Sequence, residues 1–179
     1  MYDSIRTATA ADAADFAYVL CESWKAAYRD ILTPERLADQ TDLARRTAFF
    51  ERLLPDPGCF LARDGGNPCG ICSVSPERSG ELPGWGEVVS LYTLPAYWGS
   101  GLGRALMDRA LELANAIAAN AQVAVRQSKA AIRRGLQTDM ATGAAFESEA
   151  FGLCFSTQDQ KDAMKAFVEK KKLDGFKNR

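Results

Sequence analysis

The stretch Leu91-Tyr92-Thr93-Leu94-Pro95-Ala96-Tyr97-Trp98-Gly99-Ser100-Gly101-Leu102-Gly103-Arg104 joins an extended run, a Gly-x-Gly-x-Gly turn and a helix start. Glycines at such a turn let backbone N–H groups converge on an anion, and the helix N-terminus adds partial positive charge. Chemically this is a pyrophosphate cradle. The plainer alternative is a corner whose glycines only turn the chain. A Walker loop is excluded because no Gly-Lys-Ser/Thr follows. A Rossmann fingerprint would need an acid where Val125 stands.

Other chemistries are removed by composition. The chain has no histidine, so Ser-His and Cys-His pairs and histidine-ligated metals are out. Cys69-Gly70-Ile71-Cys72 has metal-like spacing, but no second pair accompanies it. Those thiols read as small buried side chains of a strand, with no metal expected. Five irregularly spaced cysteines suggest no disulfide framework and point to a reducing cytoplasm. The start, Met1-Tyr2-Asp3-Ser4, has neither the basic nor the apolar region of a signal peptide. A net charge of −1 gives no global field for nucleic acid, and no apolar run is long enough to span a membrane. The basic C-terminus (Lys170, Lys171, Lys172, Lys177, Arg179) reads as a solvated helix end.

The elements that must position the glycine turn follow from periodicity. A short strand is expected at 4–8, and Thr9 with Asp12 resembles an N-cap signature. Phe16, Val19, Leu20, Trp24 and Tyr28 recur at helical spacing. Thr33-Pro34-Glu35 opens a second helix, and residues 42–54 give a third, stopped by Pro55 and Pro57. Phe60–Arg63 and Gly70–Val74 form a hairpin around Asp64-Gly65-Gly66-Asn67-Pro68. A loop at 76–86 leads to Glu87–Leu94, whose β-branched and aromatic content predicts a central strand, ended by Pro95. The turn then opens a helix to about Ala119. Beyond it the texture changes to three helices near 121–134, 138–150 and 157–172, with Gly135 between the first two and Ser156-Thr157 capping the last.

Residues 2–113 resemble the GNAT N-acetyltransferase family. The resemblance is carried by Ser23-Trp24-Lys25-Ala26-Ala27-Tyr28-Arg29-Asp30-Ile31-Leu32, by the Gly70 hairpin and by the strand–turn–helix. The turn is similar to the family's acetyl-CoA loop, Gln/Arg-x-x-Gly-x-Gly/Ala. Gly101 and Gly103 match, while Trp98 stands where Gln or Arg is usual. The resemblance implies that N–H groups of Gly99, Ser100, Gly101, Leu102, Gly103 and Arg104 hold a CoA pyrophosphate. It implies that the backbone of Leu91, Tyr92 and Thr93 pairs with pantetheine. It also implies acetyl transfer to a small-molecule or peptide amine.

Direct attack on a thioester requires a proton acceptor and an oxyanion donor. Glu87 stands where some GNAT enzymes carry a glutamate base, and burial would raise its pKa. A solvated strand-edge carboxylate is the alternative. Trp24, Tyr28 and Phe50 would line the acceptor pocket in this family, although core packing suits each of them.

The GNAT pattern stops near residue 114. The next strand, which splays from the pantetheine strand, is not recognisable, nor is the tyrosine often used as general acid. Instead, Ile117–Lys129 and Phe146–Lys170 resemble the C-terminal helical region of enoyl-CoA hydratases (the crotonase family). That resemblance implies packing into oligomers, with Phe167 and Lys170 where adenine and phosphate contacts are made. By default Phe167 packs and Lys170 is solvated. The catalytic half of a crotonase is absent, so no hydratase activity is expected. The fold expected is therefore α/β. A partial, mostly antiparallel GNAT-like sheet with flanking helices spans 1–113, and an all-helical tail spans 114–179, a surface for homo-oligomerisation.

Overall fold

The computed structural model describes residues 2–54, 58–81 and 85–177. Pro55 and Pro57, Leu82-Pro83-Gly84 of the long loop, and Arg179 lie outside the described residues. The chain divides into two compact units, Met1–Glu112 and Leu113–Arg179.

In the first unit the order is β1 (Ser4–Thr7), α1 (Ala13–Tyr28), α2 (Pro34–Gln40), α3 (Leu43–Leu53), β2 (Cys59–Asp64), β3 (Asn67–Pro76), β4 (Gly86–Thr93) and most of α4 (Leu102–Ala118). Local chemistry sets the boundaries. Thr33 and Asp42 cap α2 and α3 by accepting from the amides of Arg36 and Arg45. Gly65 and Gly66, at φ 55° and 84°, make the two-residue hairpin turn between β2 and β3. Positive φ at both central positions matches the twist of the flanking strands.

The four strands form one antiparallel sheet in the order β1-β2-β3-β4. Alternation divides its side chains between two faces. Cys59, Leu61 and Ile71 join Phe16, Val19, Leu20 and Phe50 of α1 and α3 in one core. Phe60, Ala62, Gly70 and Cys72 belong to the opposite face, where Gly70 meets Leu102 and Leu106 of α4. Leu102, Leu106 and Ala110 are the buried residues of α4, one per turn.

Glycine at 70 is required by that approach. A Cβ there would lie 3.0 Å from Leu102 Cδ2 and 3.0 Å from Leu106 Cδ1. Gly70→Val is expected to destabilise the fold by about 1–3 kcal/mol through overpacking. The readout is a lower urea midpoint at unchanged slope.

A part-buried ion network centred on Asp12 ties the first strand to the helical layer. Asp12, 4% exposed, accepts from Arg6 (2.8 and 2.6 Å), from the amide and hydroxyl of Thr9 (2.8 and 2.9 Å) and from Arg63 (3.1 Å). Arg63 also pairs with Asp15. The Arg6 guanidinium, with the Thr9 and Arg63 donors, holds the Asp12 carboxyl far below the usual carboxylate range. Thr9 and Asp12 form the expected capping box, although it opens a short 3-10 turn at Ala10–Asp12 before α1.

The second unit contains α5 (Gln122–Gly135), α6 (Met140–Cys154) and α7 (Gln158–Val168), and its described residues include no strand. Asp139 caps α6 and Thr157 caps α7. Gly135 is the last residue of α5, and a Cβ on Gly143 would come 3.4 Å from its Cα, so the two helices approach closely at that end. Arg134 lies 4.2 Å from the Phe146 ring centroid. Ile132, Leu136, Met140, Phe151, Phe167 and Val168 are exposed. Phe167, for which packing was the default expectation, is 79% exposed in this single chain. No described helix is long and apolar enough to cross a membrane.

Candidate functional site

The site is built where β4 meets α4. The run Glu87–Leu94 was expected to be a central, buried strand, and the strand observed is Gly86–Thr93. Among the described residues it is instead the outer strand of the sheet, and none of its residues is buried. Its β-branched and aromatic residues suit a strand with neighbours on both sides, but among the described residues only β3 pairs with it.

Ladder phase decides which backbone groups of this edge face outward. Leu94 N–H donates to Cys69 C=O at 2.9 Å, which makes Gly70–Thr93 a non-hydrogen-bonded pair. Alternation then turns the amides and carbonyls of Thr93 and Leu91 away from β3, and those of Tyr92 towards Ile71. Of the three strand residues expected to offer backbone bonds, Leu91 and Thr93 present them and Tyr92 does not. The Thr93 carbonyl is already engaged: Ser23 Oγ donates at 3.1 Å and Trp98 Nε1 at 3.0 Å.

The corner beyond the strand is pinned by side chains. Tyr97 Oη donates to Asp64 Oδ2 at 2.8 Å, and Ser100 Oγ donates to Tyr97 C=O at 2.6 Å. The bond to Asp64 pushes the Tyr97 phenol up to about 12, which suits an anchor and not a general acid. Gly99 and Gly101 take φ 74° and 85°, values open to glycine at little cost. Ser100 N–H is used by Tyr97 C=O and Leu102 N–H by Ser100 Oγ, at 3.2 and 3.3 Å. The amides of Gly99, Gly101, Gly103 and Arg104 have no acceptor among the described residues. Gly103 and Arg104 belong to the first turn of α4, where unpaired N–H groups and the helix dipole favour an anion. Leu102 is a core side chain. The Arg104 guanidinium is exposed and, among the described residues, paired only with Asp108 at 3.2 Å.

Glu87 lies on β4, opposite Ser75. A bulge at Val89 places it on the face shared by Ser90 and Tyr92, towards which α1 packs. Its environment differs from the buried, raised-pKa base expected. Arg78 grips the carboxylate with two bonds, 3.0 and 2.6 Å, and holds its pKa below the ordinary value. A facing guanidinium stabilises the charged form, and little burial opposes it.

Of the acceptor-pocket candidates, Phe50 packs edge-on against Phe16 at 4.8 Å in the core. Trp24 and Tyr28 stack at 4.8 Å, with Trp24 beside Tyr92 and Leu94 at the core margin. The buried Trp24 indole nitrogen has no partner among the described residues. Cys69 and Cys72 are both buried, their thiols pushed up to about 11 by desolvation, and Cys69 sits at the bulge between β2 and β3. Sequence reasoning missed Ser23, Arg78 and Asp64. Each reaches the site across a gap that no local pattern encodes.

Comparison with known proteins separates the halves. The enoyl-CoA hydratase/isomerase family model matches residues 103–179. Over 74 residues the chain is 66% identical to a short-chain-enoyl-CoA hydratase of Clostridium acetobutylicum, a match covering 41% of this chain and 28% of that protein. A crotonyl-CoA hydratase of Syntrophomonas wolfei is 49% identical over 69 residues, covering 38% of this chain and 26% of that one. The chain thus spans only about a quarter of the length of the hydratases it matches. A solved GCN5-related N-acetyltransferase from Rhodopseudomonas palustris aligns with TM-score 0.52 at 25% identity, covering 65% of this chain and 68% of that chain. The acetyltransferase (GNAT) family model matches residues 20–134, a span that holds β4, the glycine corner and α4, and the chain belongs to that family.

Proposed function

We propose that the first unit transfers an acetyl group from acetyl-CoA to a primary amine by direct attack. The observation that carries this reading is the pinned corner. Unpaired amides at Gly99, Gly101, Gly103 and Arg104 adjoin the outward-facing edge of Leu91 and Thr93. The first set suits a diphosphate, and the second suits the amides of a pantetheine arm lying along β4. The amine nitrogen forms a bond to the thioester carbonyl carbon and the carbon–sulfur bond breaks. The amine proton passes to a base, and the thiolate leaves and is protonated by water.

Glu87 is the base in this proposal, directly or through one water. Because Arg78 depresses its pKa, it stays ionised well below neutral pH, ready to accept but only weakly basic. Glu87→Gln is expected to lower kcat about 10²–10⁴-fold. In the wild type the acid limb of kcat/KM is expected below the ordinary glutamate value of about 4.3. Arg78→Ala moves that limb upward. An unchanged kcat in Glu87→Gln removes Glu87 from the chemistry.

Incubating acetyl-CoA with a panel of amines and following free thiol tests the whole reading. Amine-dependent thiol release is the expected result. No release, together with no protection by CoA in thermal melts, overturns it.

A second reading has its own support: a non-catalytic hybrid that binds CoA weakly or not at all and associates through its helical tail. Among the described residues β4 lacks the second neighbour that would close a pantetheine slot. The tail exposes Leu136, Met140, Phe151 and Phe167, more apolar surface than a small helical unit usually leaves uncovered. Light scattering decides the association: a monomer at all concentrations removes it.

A further inference from the structure

The Trp98 side chain is fixed at one edge and open elsewhere. Its Nε1–H donates in the ring plane to Thr93 C=O at 3.0 Å, yet the residue is 56% exposed. A hydrogen bond along the ring edge leaves both faces free of that contact, so exposure of this size requires an open face. The residue directly precedes Gly99 and the unpaired amides of the corner. Its backbone, at φ −64° and ψ 136°, is ordinary extended geometry, so no local strain accounts for the ring's position. Exposing an indole to water gives up the apolar burial that its area would provide, and the bond to Thr93 keeps it from folding back onto the core.

We infer that Trp98 is an aromatic platform for a nucleotide base: a ligand diphosphate rests on the amides of 99–104, and its adenine stacks on the indole face. This inference rests on the pyrophosphate reading of the corner and adds to it a subsite for the base. Stacking suits the chemistry because every base has a π-face and the indole is already oriented, so little rotamer freedom is lost on binding. Arg104, exposed and held by a single bond to Asp108, supplies positive charge on the same turn for a further phosphate.

The test compares two probes, CoA and 4′-phosphopantetheine, which lacks the base, against wild type, Trp98→Ala and Trp98→Phe by calorimetric titration. Trp98→Phe keeps a stacking face and loses the bond to Thr93. The expected result is that Trp98→Ala weakens CoA about tenfold or more while 4′-phosphopantetheine changes little, and that Trp98→Phe keeps most of the CoA affinity. Equal weakening of both probes by Trp98→Ala overturns the platform, because it marks Trp98 as a latch of the corner alone. Unchanged CoA binding in Trp98→Ala overturns it as well. Wild type that binds neither probe defeats the parent reading of the corner, and the platform with it. Wild type that binds CoA with no change in the ratio of the two probes defeats the platform alone.

Discussion

Gly101→Val is expected to weaken CoA binding about 10–100-fold and to remove most of the ligand's thermal protection. A Cβ at position 101 would meet nothing within 4 Å, so the penalty is not a clash. It comes from φ 85°, which a β-branched residue adopts at a cost of about 1–3 kcal/mol. The turn relieves that cost by rearranging, which breaks the Ser100–Leu102 bond and redirects the amides of Gly103 and Arg104. At a hundred times its Kd, CoA is expected to stabilise the wild type by about 2.7 kcal/mol. The variant keeps only a fraction of that shift at the same concentration. Gly103→Ala is the control, because its Cβ would sit 3.6 Å from Leu91 Cδ2, an ordinary contact, in a helical residue. That variant should bind CoA nearly as wild type does and melt no earlier. Wild-type affinity in Gly101→Val moves the phosphate site away from the corner.

Asp12→Ala is expected to cost about 1–3 kcal/mol of stability, because the guanidiniums left behind are partly solvated. Its carboxylate is the shared acceptor for Arg6, Thr9 and Arg63, with a side chain only 5% exposed. Removing it leaves the amide of Thr9 and part of two guanidinium groups without this acceptor. The same residue sets a pH dependence. The folded-state pKa of Asp12 lies below its unfolded value, so the contribution is complete above about pH 4 and drains away as the pH falls further. Urea midpoints measured from pH 6 to pH 2 should fall steeply in the wild type and less steeply in Asp12→Ala. Parallel slopes in the two proteins would assign the acid loss to other carboxylates.

Local chemistry in the sequence located most elements. Thr33-Pro34, Gly65-Gly66 and Thr157 marked boundaries that the fold keeps, because caps and turns are satisfied by neighbours two or three residues away. The change of texture near residue 114 was equally legible. Composition misread β4, since a strand rich in Val, Leu and Tyr looks the same whether its second neighbour is present or not. Whether Glu87 is buried or solvated was left open for a similar reason. Nothing in the residues around it indicates that Arg78 folds back across the loop to hold it.

By itself, then, the sequence determined the glycine corner, the helix periodicities and the family membership of the first unit, all of which depend on residue type and short spacing. Tertiary structure alone decided that Leu91 and Thr93 rather than Tyr92 face outward, that Ser23 and Trp98 share the Thr93 carbonyl, and that Arg78 depresses the pKa of Glu87. Those facts depend on ladder phase and on contacts between residues distant in the chain. A one-residue shift of register would reverse the first without altering a single amino acid.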